Sequence, residues 1–140
     1  MLSYQRLKHH PRALRAFTGL DQAEFEKLLT PFAMAYHAYR YDQHVTKKSR
    51  KRRYGGGRKP HLAVMEDKLL FILFYFKVYT LQEVIAFLFD TSQGRVNEWI
   101  HTLIPNLTNI CAPFNNLPAL CLVPWSRMHK YLRELVSASS

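Results

Sequence analysis

The sequence has few of the features that mark membrane, secreted or disulfide-stabilised proteins. Its 140 residues include two cysteines, Cys111 and Cys121. Two are too few for a disulfide scaffold, so a reducing cytosol is expected. The longest strongly apolar run, residues 69–76, has eight residues and is too short to span a bilayer. The first 15 residues are polar and basic, and they predict no signal peptide.

Negative charge is missing from the middle of the chain. No acidic residue lies between Asp42 and Glu66, and the whole chain has 20 Lys+Arg against 10 Asp+Glu, a net charge of +10. Eight basic residues occupy this gap: Lys47, Lys48, Arg50, Lys51, Arg52, Arg53, Arg58 and Lys59. The other 12 basic and 10 acidic residues nearly cancel. A cluster this concentrated indicates a polyanionic partner.

The eight charges lie within residues 44–61, which we call the basic linker. Like charges repel, and residues 55–57 are all glycine, so a flexible connection is predicted rather than a helix. The glycines do not form a phosphate-binding loop, because Lys59 is followed by Pro60 rather than Ser or Thr. A solvated loop without a partner is the alternative to nucleic-acid binding. A membrane surface is disfavoured because no amphipathic helix overlaps the cluster.

Helical patterns flank the basic linker and predict an all-α fold, a small helical bundle in which the linker joins two helical parts. In the N-terminal helical region, residues 1–43, one short helix is predicted over residues 4–10 and another from Pro11 to Gly19. Asp21 and Glu24 form a capping box at the start of a longer helix. Pro31 is expected to kink this helix or to restart it with Thr30 as the cap.

Residues 62–107 carry the pattern of a helix-turn-helix preceded by a third helix. A helix is predicted over residues 62–79, and from Leu69 it is apolar nearly all round, which places it at the centre of a bundle. Thr80 is predicted to cap a short helix to about residue 89, with four residues facing inward: Leu81, Val84, Ile85 and Leu88. Ser92 caps a second helix, residues 93–104, after a short turn. The tail, residues 108–140, is irregular apart from a C-terminal helix.

The helix after Ser92 has one apolar and one polar face. The residues predicted to face the core are Val96, Trp99, Ile100 and Leu103, and those predicted to face DNA bases are Gln93, Gly94, Arg95, Asn97, Glu98 and His101. Arg95 matches guanine and Asn97 matches adenine in hydrogen-bonding geometry. Ser92, at the helix start, and the eight basic residues of the linker are predicted to contact phosphate. An ordinary helical hairpin with a solvated outer face is the alternative.

Three sequence segments closely resemble one protein family: residues 50–60, residues 66–75, and the pattern from Val84 to His101. They are similar to the N-terminal part of bacterial insertion-sequence transposases of the DDE superfamily. The resemblance extends over about residues 1–107. It implies binding of terminal inverted repeats, with contacts from residues 92–102. It also implies that a following domain would cut and join DNA with three acidic residues and two metal ions. Asp90 and Gly94 depart from the family pattern, which more often has a turn glycine and a small polar residue there.

The acidic residues needed for catalysis are missing from the sequence. After Glu98 the only acid is Glu134, so no set of converging carboxylates is available and no enzymatic activity is expected. The tail does not resemble the family's continuation and is interpreted as a truncated or frameshifted end. No cofactor or metal is expected, because the histidines and cysteines lack ligand spacing.

Three functions follow from these interpretations. The first is binding of double-stranded DNA in the bacterial cytoplasm, at the nucleoid, by the non-catalytic part of a transposase, either alone or as a homo-oligomer. The second is a helical protein-interaction module whose basic linker contacts acidic partners. The third is one half of a split transposase that acts with a separate catalytic chain.

Overall fold

The computed structural model describes residues 1–46, 61–78, 80–111 and Arg133. Within these residues the chain forms helices and no strand, which confirms the all-α prediction. The helices are α1 (Tyr4–Leu7), α2 (Pro11–Thr18), α3 (Gln22–Thr46), α4 (Met65–Val78), α5 (Gln82–Leu88) and α6 (Gln93–Cys111). The first helix is shorter than the predicted residues 4–10, since residues 8 and 9 form a turn before Pro11 opens α2.

The predicted helix boundaries around residues 11–24 are confirmed by their capping geometry. Pro11 is the first residue of α2, and Gly19 ends the helix in the left-handed conformation with φ 74°. The backbone N–H of Glu24 donates to Asp21 Oδ1 (2.8 Å), and the backbone N–H of Asp21 donates to Glu24 Oε2 (3.2 Å). These reciprocal bonds form the predicted capping box at the start of α3.

Two prolines lie inside helices, where the sequence predicted a kink or a restart at Pro31 and a helix end before Pro105. Helix α3 continues through Pro31, so the predicted restart at Thr30 is wrong, and α6 continues through Pro105 to Cys111 rather than ending at residue 104. An internal proline costs about 3 kcal/mol because it removes one backbone hydrogen bond and crowds the preceding turn. Phe32 and Leu107, which are fully buried next to the two prolines, offset this cost.

Helix α4 is the centre of the bundle, as its sequence predicted. Nine of its 14 residues are buried, and its flanking helices approach it from several sides. Helix α4 begins at Met65, three residues later than predicted, while Leu62 is buried without being helical. Core residues on both sides of the basic linker pack into one hydrophobic cluster. Helices α1–α3 therefore share a core with the helices that follow the linker.

The predicted start of α5 is wrong, and of its four predicted inward-facing residues only Ile85 and the partly buried Leu88 pack against the core. Its N-cap is Leu81, without a capping side chain, so the capping box at Thr80 does not form. Leu81 is 73% exposed and Val84 is 44% exposed, whereas Ile85 and Phe89 are fully buried. The spacing of apolar residues fits either face of so short a helix, and packing against α6 decides which face is buried. An apolar outer face remains, formed by Leu81, Val84 and Phe87.

Candidate nucleic-acid interface

The turn between α5 and α6 is closed by backbone hydrogen bonds around Asp90. The N–H of Thr91 donates to the carbonyl of Ala86 (2.8 Å), and the N–H of Asp90 donates to the carbonyl of Phe87 (3.3 Å). Asp90 itself is left-handed, with φ 51°. This pattern is a Schellman motif, in which glycine is the usual left-handed residue. Aspartate is among the residues that tolerate this conformation, so the turn forms despite the missing glycine.

Ser92 caps α6, as predicted. Its Oγ accepts a hydrogen bond from the backbone N–H of Arg95 (3.4 Å), and its carbonyl accepts one from the N–H of Val96 (3.1 Å). The first turn of α6 contains no acidic residue. The positive end of the helix dipole is therefore not neutralised by a carboxylate on the same helix, which favours an approaching phosphate.

The two faces of α6 are divided as the sequence predicted. Val96, Ile100 and Leu103 are buried, and Trp99 packs partly buried against the core. The six residues predicted to face DNA bases are all exposed: Gln93, Gly94, Arg95, Asn97, Glu98 and His101. No atom lies within 4 Å of the position that a side chain at Gly94 would occupy. The outer face of α6 is thus open along its first two turns.

His61 connects the basic linker to the helix-turn-helix, a contact that sequence reasoning missed. Its ring stacks on Trp99 of α6, with centroids 6.0 Å apart and planes 14° apart. Its Nε2 lies 3.1 Å from the carbonyl oxygen of Phe89, which ends α5. Trp99 also packs against Phe71 of α4 in an edge-to-face arrangement, with ring centroids 5.2 Å apart. The end of the basic linker is therefore fixed beside the turn that leads into α6, and no periodicity in the sequence signals this.

A second contact ties the chain after the linker to α3. The Nζ of Lys68 donates to the carbonyl of Ala63 (3.2 Å) and lies 5.1 Å from the ring centroid of Tyr36. Burial, together with the nearby Arg40 guanidinium, lowers the pKa of the Lys68 ammonium.

Residues 47–60, which include the eight basic residues predicted to contact phosphate, lie outside the described residues. The linker's last residue and its first three, residues 44–46 at the end of α3, are described.

The described part of the chain shows neither a metal-ligand cluster nor a membrane-spanning helix. No group of three or more histidine, cysteine or acidic side chains there could hold a metal ion. None of the described helices is both long and apolar enough to cross a membrane.

The geometry of α4–α6 agrees with a comparison to known families. Residues 60–109 match a family model described as the helix-turn-helix of DDE superfamily endonuclease. This segment is a helix-turn-helix region of the DDE transposase family. The predicted resemblance to the DDE superfamily is confirmed for these residues; a bacterial insertion-sequence origin, and the resemblance over residues 1–59, stay predictions. No curated protein and no solved structure matches the chain.

The match indicates that residues 60–109 bind DNA. A helix-turn-helix binds DNA by placing its second helix in the major groove, and α6 is that second helix here. The exposed polar face of α6 is therefore the candidate nucleic-acid interface. The matched family model describes the helix-turn-helix and not the catalytic domain of these endonucleases.

Proposed function

We propose that the protein binds the terminal inverted repeats of a bacterial insertion sequence as the non-catalytic N-terminal part, or a truncated product, of a transposase. The observation that carries this proposal is the outer face of α6, which is polar and exposed while its inner face is held by the core. Double-stranded DNA is the partner, and the bacterial nucleoid is the expected location.

Base recognition is assigned to the first turns of α6. Arg95 pairs with guanine and Asn97 with adenine, and Glu98 can accept from the amino group of cytosine. Gln93 and His101 extend the same exposed face at either end. At Gly94 the backbone can approach base edges closely because no side chain stands between them.

Phosphate contacts are assigned to the basic linker and to Ser92. The basic linker ends beside the turn before α6, because its last residue, His61, is stacked on Trp99. Its eight charges are proposed to meet phosphates. Their attraction to DNA does not depend on sequence, so it complements the base contacts of the nearly neutral α6.

Binding to terminal inverted repeats from the same genome, compared with random DNA, tests this function. Arg95→Ala and Asn97→Ala should each weaken binding to the repeats by about 1–3 kcal/mol and leave binding to random DNA nearly unchanged. Lys27→Ala, at an exposed position on α3, is the control and should alter neither affinity. Equal losses on both DNAs would show that Arg95 and Asn97 touch only the backbone.

Gly94 gives a second test, because stability and binding should change in opposite directions. Alanine at this position should stabilise α6 by about 0.5–1 kcal/mol, since the added methyl group meets no neighbour. The same methyl group should lower DNA affinity if the backbone approaches the groove closely. Urea unfolding and DNA titration of Gly94→Ala measure the two effects. A stabilised variant with unchanged affinity would place Gly94 away from the DNA.

The exposed apolar face of α5 favours a second candidate function, a protein-interaction module whose basic linker contacts acidic partners. Salt separates the two functions, because binding of DNA phosphates weakens steeply with ionic strength. A DNA affinity with almost no salt dependence would favour the module. A strand-transfer assay with added divalent metal tests two further points, the non-catalytic role of this chain and the split-transposase alternative. Strand transfer by this chain alone would contradict both.

A further inference from the structure

The first two helices carry a second concentration of positive charge. Residues 1–20 contain four Lys and Arg residues and no acidic residue. We call this surface the α1–α2 basic face, and its members are Arg6, Lys8, His9, His10, Arg12 and Arg15. All are exposed except Lys8, which is half-buried. Outside the basic linker, 4 of the 12 Lys and Arg residues therefore lie in the first 20 residues, where no acid balances them.

No carboxylate of the described residues pairs with a cation of the α1–α2 basic face. Arg6 donates to the backbone carbonyl of Met1 (3.4 Å) rather than to an acid. The next acids along the chain have other hydrogen-bond partners, although Glu26 reaches Tyr4 of α1. Glu26 accepts hydrogen bonds from the Tyr4 hydroxyl and from Gln22, both at 3.1 Å, and Glu24 bonds to Asp21 and to Arg133. The positive field at this face is not cancelled by a direct ion pair.

The shape of the face suits a broad polyanion. Arg12 and Arg15 lie three residues apart on α2, so their side chains are neighbours on its outer surface. Ala16, beside them, is exposed and too small to obstruct an approaching backbone. Both guanidinium groups are therefore accessible to a phosphate backbone from solvent.

The face belongs to the same rigid core as the helix-turn-helix. Phe17 of α2 packs against Phe74 of α4 with centroids 5.4 Å apart, and the backbone N–H of Tyr4 donates to Asp67 Oδ1 (2.9 Å). The N–H of Leu2 donates to the carbonyl of Leu88, at the end of α5 (2.7 Å). The α1–α2 basic face is therefore packed on the same hydrophobic core as α6.

We propose that the α1–α2 basic face binds backbone phosphates of double-stranded DNA as a second electrostatic site, separate from the basic linker. The proposal rests on the proposed DNA-binding function. A membrane surface is a poor alternative. Leu14, on the apolar side of α2, is buried in the core, and α2 has no exposed large hydrophobic residue that could insert into a bilayer. The site needs no base recognition and contributes equally on any sequence.

The test is the salt dependence of DNA binding by the full chain and by the double variant Arg12→Ala, Arg15→Ala. Each phosphate contact contributes about 0.9 to the slope of log affinity against log salt, so the variant should lose about 1.8 from the slope. The loss should be the same on inverted repeats and on random DNA. Arg12→Lys, Arg15→Lys retains the charges and should retain the slope, and Lys27→Ala should leave it unchanged.

The outcomes distinguish this proposal from the proposed function. If the wild-type chain binds DNA with a steep slope and the alanine variant has the same slope, the α1–α2 basic face is not a phosphate site. A loss of affinity without a change in slope would mean that the two arginines act through the fold, which also overturns the proposal. If the wild-type chain binds no DNA at any salt concentration, the proposed function itself fails.

Discussion

Replacement of Phe89 by alanine is expected to lower the free energy of unfolding by about 3–5 kcal/mol. Phe89 is fully buried at the end of α5, and its ring contacts Phe71 and Phe74 of α4 with centroid distances of 5.1 and 6.2 Å. Truncation leaves a cavity between α5 and the central helix. Urea unfolding followed by circular dichroism measures the loss.

Phe87 provides a matched control two residues away. It is 86% exposed, so Phe87→Ala should change the free energy of unfolding by no more than about 0.5 kcal/mol. Similar losses in both variants would contradict the packing described for α5.

Removing the positive charge of the basic linker is expected to have the largest effect on DNA binding. If all eight Lys and Arg residues meet phosphates, the slope of log affinity against log salt includes a contribution of about −7. That contribution alone weakens binding by about 10⁴-fold between 50 and 200 mM salt. A variant with glutamine at all eight positions should lose it. Fluorescence anisotropy with labelled duplex DNA over this salt range measures both proteins.

The control keeps the charge and changes the side chain, with each lysine replaced by arginine and each arginine by lysine. Its slope should stay close to that of the wild type, because attraction to phosphate depends mainly on charge. A remaining slope of about −2 in the glutamine variant would correspond to Arg12 and Arg15 of the α1–α2 basic face. A wild-type slope near zero would contradict a phosphate-binding role for the linker.

The buried face of a long helix and a helix start with two capping residues could be predicted from the sequence. The buried face of the short helix α5 could not. The faces of α6 followed from four apolar positions in helical spacing, and the start of α3 from a pair of capping residues that bond to each other. Helix α5 has only seven residues, so its apolar positions did not define a single face. Its inner face is fixed by contacts with α6, which are not encoded in local spacing.

The candidate site was also only partly predictable. The exposed face of α6 could be read from the sequence because it is the complement of the buried face. The contact of His61 with Trp99 joins residues 38 positions apart and depends on how α4 and α6 pack. The basic character of the first 15 residues could be read from the sequence, whereas the packing of the α1–α2 basic face on the shared core could not.

The burial of α4 has a consequence for what counts as the DNA-binding unit. The family match begins at residue 60, yet the side of α4 that carries Phe74 is covered by Phe17 of α2, far outside the match. A fragment cut at residue 60 would present that side of α4 to water and lose part of its hydrophobic stabilisation. The smallest fragment in which α6 keeps its packing is therefore determined by the shared hydrophobic core and not by the extent of the family match.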